Sequence, residues 1–275
     1  MESKEKSVVF SILQFGSVTG NKAENYKKVE KLLKDNLSSE ADFLVLPEVW
    51  TCGWSCIDFP ACSEFIENSE TVEFLSKIAK ENNVNILGGS FIQKTGEGKC
   101  LNTCPVIDRK GRLIALYSKN HLYSYCGCNE GDYINAGDSP VMVNIEGVNI
   151  GLTICYDIRF PEIFRAYRLA GADVLVNMAA WGIKKPIPWE TLTRARAIEN
   201  QCYMVALTQS GRIKDDEWNI GHSFIFDYVG ETIAEIKDNK EGLVSARISF
   251  EDMYKYRNTC TILNDIRETY EVKCV

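Results

Sequence analysis

Apolar and polar positions switch between two periods along this chain, and the switching runs nearly from end to end. Residues 7–14 (SVVFSILQ) form a mostly apolar run that predicts a strand. Residues 21–37 change to a period near that of a helix, with Val29, Leu32 and Leu33 on one face. Residues 42–46 (DFLVL) predict a short strand stopped by Pro47, and residues 70–82 predict a helix. Residues 84–91 read as one buried strand with Gly88 and Gly89 near its end. Two hairpins follow: 102–108 with 113–117 around Arg109-Lys110-Gly111-Arg112, and 141–145 with 148–155 around Glu146-Gly147. A helix at 161–170 opens on Pro161, where the missing N–H costs nothing. A strand at 174–178, a helix at 189–200 and a strand at 202–208 come next. Residues 224–227, 232–236 and 243–248 look like a closing meander.

Several strands are apolar on both faces, as in Phe43-Leu44-Val45-Leu46. Such strands need cover on both sides, which favours a layered sandwich over an open sheet. No break rich in Pro, Gly or Ser divides the chain and no repeat is visible, so residues 1–275 are expected to form a single α/β domain with mixed sheets and outer helices. The polar tail from about residue 257 is expected on the surface or against a neighbouring subunit.

Composition narrows the function. Among 275 residues, 45% are hydrophobic and 25% charged, which excludes a disordered or collagenous chain. The net charge of −7, with no dense Lys/Arg run, argues against nucleic acid and against an anionic membrane surface as partners. Met1-Glu2-Ser3-Lys4-Glu5-Lys6 has no apolar signal region, and no apolar run is long enough to span a bilayer, so a soluble, cytoplasmic protein is expected. The eleven cysteines are then expected to be mostly free thiols. Cys52 and Cys56, Cys100 and Cys104, and Cys126 and Cys128 are loosely paired but lack zinc-site spacing, so no metal is expected. With His121 and His222 as the only histidines, any three-histidine site is excluded, and both read as structural polar groups. The loop from Gly16 to Lys22 lacks the ending of a phosphate loop, and neither a dinucleotide fingerprint nor a Gly-x-Ser-x-Gly elbow occurs. Asp215-Asp216 reads as a solvated pair.

The strongest local signal is Gly151-Leu152-Thr153-Ile154-Cys155-Tyr156-Asp157-Ile158-Arg159-Phe160-Pro161-Glu162. A buried strand ends on Cys155, and a tight turn leads to a helix. A side chain at such a turn stands above the sheet end, and the N–H groups just after it point the same way. Those groups can stabilise an oxyanion and lower a thiol pKa. A buried strand-end cysteine fits the same pattern. Glu48, after the strand at 42–46, and Lys119, after the strand at 113–117, also sit at strand ends, where sites collect in α/β folds.

Leu46-Pro47-Glu48, Tyr117-Ser118-Lys119-Asn120-His121-Leu122 and the segment around Cys155 occur in the order found in the nitrilase superfamily of carbon–nitrogen hydrolases. The resemblance continues through Arg194-Ala195-Arg196-Ala197-Ile198-Glu199-Asn200-Gln201 and Gly221-His222-Ser223. It implies a four-layer α-β-β-α sandwich that assembles as a homodimer or larger homo-oligomer, with no cofactor or metal. Trp50-Thr51-Cys52-Gly53-Trp54 and Ala180-Trp181 make the chain look most like the omega-amidase-like branch, which acts on amides of small acids. Glu130 matches the second acidic residue of the family's site, although the flanking Ser124-Tyr125-Cys126-Gly127-Cys128 departs from the pattern. Pro188 stands where many relatives carry a histidine.

By this resemblance Glu48 is the general base, Cys155 the nucleophile that forms a thioester, and Lys119 with the backbone N–H of Tyr156 the oxyanion donors. Glu130 would hold Lys119 in place. Arg159 would bind a substrate carboxylate or orient the cysteine loop, and Trp181 would line the pocket. The expected substrate is a small-molecule amide that releases ammonia. Cleavage of a carbamoyl compound or a nitrile on the same triad, a non-catalytic binding protein on this scaffold, and a thiol-based metal or redox module are the alternatives.

Overall fold

The computed structural model describes residues 7–274 apart from 97, 99, 126, 127, 215, 268 and 270. Cys126 and Asp215, singled out above, therefore lie outside the described residues. Two large sheets dominate. The first runs in the order β16 (Gly242–Ser249), β1 (Ser7–Gln14), β2 (Phe43–Val45), β3 (Asn85–Leu87), β5 (Cys100–Ile107) and β4 (Phe91–Lys94). Strands β6 (Leu113–Ser118) and β7 (Ile134–Asn135) also pair with β5. The second sheet runs β15 (Thr232–Ile236), β14 (Ser223–Phe226), β11 (Tyr203–Thr208), β10 (Val174–Ala179), β9 (Val148–Ile154) and β8 (Met142–Ile145). A small ribbon joins β12 (Arg212–Lys214) to β13 (Glu217–Trp218).

The doubly apolar strands explain the layering. Phe43 and Val45 enter the large core shared with the second sheet, whereas Leu44 and Leu46 point into a separate core. That second core is completed by Val29 and Leu33 of α1 (Lys22–Asn36) and by Leu75, Ile78 and Ala79 of α3 (Glu70–Asn82). On the far side, Ile163, Phe164 and Tyr167 of α4 (Pro161–Leu169) and Trp189 and Ala197 of α5 (Pro186–Asn200) cover the second sheet. The result is helix, sheet, sheet, helix, as expected. Short helices α2 (Phe59–Cys62) and α6 (Phe250–Thr259) complete the elements.

Two expectations need correction. Residues 84–91 are not one strand, because the chain bends between β3 and β4. Gly89 takes φ +65°, and a Cβ there would stand 2.0 Å from the carbonyl oxygen of Pro47. This close approach lets Ser90 N donate to Pro47 O at 3.1 Å, so the bend props the segment that carries Glu48. The last strand does not finish a meander. It crosses to the first sheet and pairs antiparallel with β1, from Ser7 opposite Ser249 to Gln14 opposite Gly242. Helix α6 buries Phe250 and Met253 ahead of the polar tail.

Candidate active site

Glu48, Lys119 and Cys155 leave the ends of β2, β6 and β9, and the fold brings these three ends to one crevice. Glu48, Lys119 and Glu130 have no exposed surface, and Cys155 is 7% exposed. Lys119 Nζ donates to Glu48 Oε1 at 2.9 Å and to both oxygens of Glu130 at 3.0 and 2.8 Å. Its ammonium also lies 5.2 Å from the centre of the Trp54 ring. Glu48 receives two further bonds, from Asn102 Nδ2 at 2.9 Å and from the Ala180 backbone N–H at 2.8 Å. The Tyr123 N–H secures Glu130 at 2.6 Å. Every member of the cluster is thus held by at least one group outside it, which a buried ion network requires.

The electrostatics follow from this packing. Burial alone pulls Lys119 down, but the charges of Glu130 and Glu48 outweigh it and hold the ammonium well above the usual lysine range. Burial pushes Glu130 up against the opposing pull of Lys119. Burial also pushes the Cys155 thiol well up; Glu48 and Glu130 add to the shift, and Lys119 opposes it. The resting thiol therefore keeps its proton at neutral pH and becomes a nucleophile only when a base takes that proton.

Cys155 opens a 3-10 turn (Cys155–Arg159) and sits at φ +45°, a left-handed conformation uncommon for a side chain with a Cβ. Val49, beside Glu48, is strained in the same way at φ +41°. The turn is held by Asp157, to which the sequence pattern alone assigns no role. Its carboxylate accepts from Ile154 N at 2.9 Å, Tyr117 OH at 2.6 Å and His121 N at 2.9 Å. His121 Nδ1 lies 2.8 Å from the same carboxylate, and the ring stacks on Phe160. From below, Asn177 Nδ2 reaches Cys155 O at 3.4 Å, and Arg196 donates twice to Ile158 O. Tyr156 N–H falls in the first turn, where a helix offers no internal acceptor. His222 lies between Glu190 and Glu235, with Nδ1 at 3.0 Å and Nε2 at 3.4 Å.

A cavity of about 640 Å³ opens onto Cys155. Trp54, Tyr123, Tyr125, Tyr156, Trp181 and Lys185 form much of its wall. Arg159 backs this wall, with its guanidinium 5.1 Å from the Trp181 ring, 5.7 Å from Tyr125 and 5.9 Å from Tyr156. Its buried Nε has no hydrogen-bond partner among the described residues. Lys185 donates to Tyr123 OH at 2.8 Å and sits over the rings of Tyr123 and Tyr125. A more open groove of about 750 Å³, lined by Tyr26, Phe74 and charged residues of α3, contains none of the buried cluster. Sequence reasoning missed Asn102, Trp54 and Lys185. Asn102 is a polar residue within a buried strand, Trp54 lies in the Trp50–Trp54 segment that carries the family resemblance, and Lys185 had no local signal.

The sequence pattern of the carbon–nitrogen hydrolases matches residues 11–258. The 2-oxoglutaramate amidase of Bacillus subtilis is 36% identical over 260 residues, spanning 94% of this chain and 97% of that protein. An omega-amidase of Xenopus tropicalis is 33% identical over 270 residues, spanning 96% of each. A carbon–nitrogen hydrolase superfamily protein from Xanthomonas campestris, solved with an arsenic adduct in its active site, superposes with a TM-score of 0.87 at 26% identity, covering 97% of this chain and 100% of that one. With the layered fold, the pattern match and these full-length likenesses, the chain belongs to the carbon–nitrogen hydrolase family, in its nitrilase-superfamily, omega-amidase-like branch.

Proposed function

We propose that this protein is an amidase that releases ammonia from a small carboxylic acid amide through a thioester on Cys155. The observation that carries the reading is the buried contact of Lys119 with Glu48 next to a strained Cys155 whose thiol is pushed well up by burial. In this reading Glu48 accepts the thiol proton as sulfur attacks the amide carbonyl. Negative charge develops on the carbonyl oxygen, where the Lys119 ammonium and the Tyr156 N–H stabilise it, each such donor being worth about 10²–10³ in rate. Glu48 then passes the proton to the departing nitrogen, and ammonia leaves. Water activated by the same carboxylate hydrolyses the thioester. Glu130, with two bonds to Lys119, keeps the ammonium charged and aimed.

Two features favour an acid amide carrying a free carboxylate. Arg159 holds a buried donor without a partner among the described residues behind the pocket wall, and Lys185 adds a second cation at that wall. The named activity of the Bacillus subtilis relative agrees with this choice. Ammonia release from 2-oxoglutaramate, succinamate, glutamine, N-carbamoyl-β-alanine and a simple nitrile tests it. Turnover of the first two supports the reading. Turnover of only the carbamoyl compound or the nitrile overturns the substrate class.

A homodimer belongs to the same proposal. Leu169 of α4 and Ile187 and Ile198 of α5 are 65%, 75% and 47% exposed on the outer helical layer, which gives two sandwiches an apolar surface on which to meet. Sedimentation at micromolar concentration checks it, with a monomer as the contrary result.

A further inference from the structure

Cys56 and Cys128 have no part in the chemistry above, yet their sulfurs lie 3.3 Å apart at the mouth of the cavity over Cys155. They come from straps 72 positions apart in sequence. Cys56 opens the 3-10 turn Cys56–Asp58, two residues after Trp54, whose ring faces Lys119. Cys128 stands two residues before Glu130, which holds the same ammonium. Both thiols are free and half-buried, within reach of a small oxidant. A disulfide needs the sulfurs about 2.05 Å apart, so the straps need close by only about 1 Å.

We propose that Cys56 and Cys128 form a reversible disulfide that draws the two straps together and slows the enzyme. Hydrogen peroxide serves as the oxidant. The Cys128 thiolate attacks one peroxide oxygen, the O–O bond breaks, and the hydroxide released takes up the thiol proton as water. The Cys56 sulfur then attacks the sulfenic sulfur, loses its proton, and expels a second hydroxide that also leaves as water. Two thiols lose two electrons and two protons, and one peroxide becomes two waters. Burial and the adjacent Cys128 push the Cys56 thiol up. The effect on catalysis follows from position. The bridge pulls on the chain just before Glu130 and just after Trp54, and a displacement of about 1 Å near a reacting centre costs on the order of 10²-fold in rate.

The activity arm of the test rests on the amidase reading, but the cross-link arm does not. Wild-type protein is treated with hydrogen peroxide, capped with an alkylating agent and digested without reductant. The expected result is a peptide pair joining Cys56 to Cys128, two hydrogens lighter than the separate peptides. Ammonia release falls about tenfold or more, and dithiothreitol restores both. Cys56→Ser and Cys128→Ser, each scored against its own reduced form, keep their activity under the same dose. Cys52 and Cys62 form the competing pair, since the hydrogen bond with Cys52 brings the Cys62 thiol down to about 7. A bridge between Cys52 and Cys62 alone, or none, overturns the proposal. So does a bridge between Cys56 and Cys128 that leaves the rate unchanged. An equal loss in the serine variants assigns the effect to oxidation of Cys155 and overturns it as well. Absence of ammonia release from the reduced protein counts against the amidase reading, while the peptide map still decides the bridge.

Discussion

Lys119 and Glu48 form an ion pair of 2.9 Å with both side chains fully buried. Neither charge reaches water, so each is tolerated only through its partners. Removing one member of such a pair costs about 3–5 kcal/mol, because the other is left charged and unsolvated. Here the loss is sharpened by Glu130, which would face Glu48 with no cation between them.

Lys119→Met is therefore expected to abolish ammonia release and to lower unfolding stability by about 3–5 kcal/mol. Cys155→Ala removes the nucleophile without exposing a buried charge and is expected to stay within about 1 kcal/mol of wild type. Urea denaturation of the two variants side by side measures the contrast. Equal stability of Lys119→Met and wild type would mean that the cluster is not energetically coupled.

Asp157 ties the turn that begins at Cys155 to Ile154, Tyr117 and His121. Replacing it with Asn puts an N–H donor where one of its oxygens accepts, against Ile154 N and Tyr117 OH or against His121 N. Asp157→Asn should lower kcat about 10²-fold with little change in KM, because the cysteine is misplaced while the pocket wall is kept. A rise in KM at constant kcat would contradict a positioning role.

In the proposed reading, Arg159 distinguishes substrates by charge. Loss of a charge-assisted hydrogen bond is worth about 1.5–3 kcal/mol, so Arg159→Met should raise KM about 10- to 100-fold for an amide that carries a carboxylate. An uncharged amide of similar size should be affected much less. Steady-state kinetics on the two substrates gives the ratio, and an equal loss on both would assign Arg159 to the cysteine loop instead.

Glu64 supplies a pH-dependent element of stability away from the site. Burial pushes its carboxyl up, but bonds from Lys22 at 2.6 Å, Thr71 Oγ1 at 2.6 Å and Ser69 Oγ at 2.7 Å outweigh it and hold the group below the usual carboxylate range. A carboxyl lowered by folding stabilises the protein above its unfolded pKa, and that contribution disappears as pH falls through the folded value. Glu64→Gln should cost about 2 kcal/mol at pH 7. The gap from wild type should narrow as pH drops below about 4.3, as urea midpoints across pH would show.

The parts of the site legible in the sequence are those set by local pattern. Glu48, Lys119 and Cys155 each end a strand whose apolar run is visible, so their shared sheet-end position follows from secondary structure alone. The helix Glu70–Asn82 was equally legible, with Ser69 capping it through Val72 N at 3.1 Å. What was hidden depends on distant pairing. Asn102 reaches Glu48 only because β5 lies in the same sheet, 54 positions further along the chain. The departure of β16 to the first sheet rests on its register with β1, which no local run of residues encodes. The bend at Gly88 and Gly89 was masked because the apolar run continues through it, and only the approach of Pro47 explains it.

The most direct test of the account is to stop turnover of the preferred amide with acid and map the acylated residue by mass spectrometry, while measuring ammonia release from wild type and Cys155→Ala. The account predicts an acyl mass on the peptide that contains Cys155 and no ammonia release from the variant above background. An acyl group on any other cysteine, or ammonia released by Cys155→Ala at the wild-type rate, would contradict it.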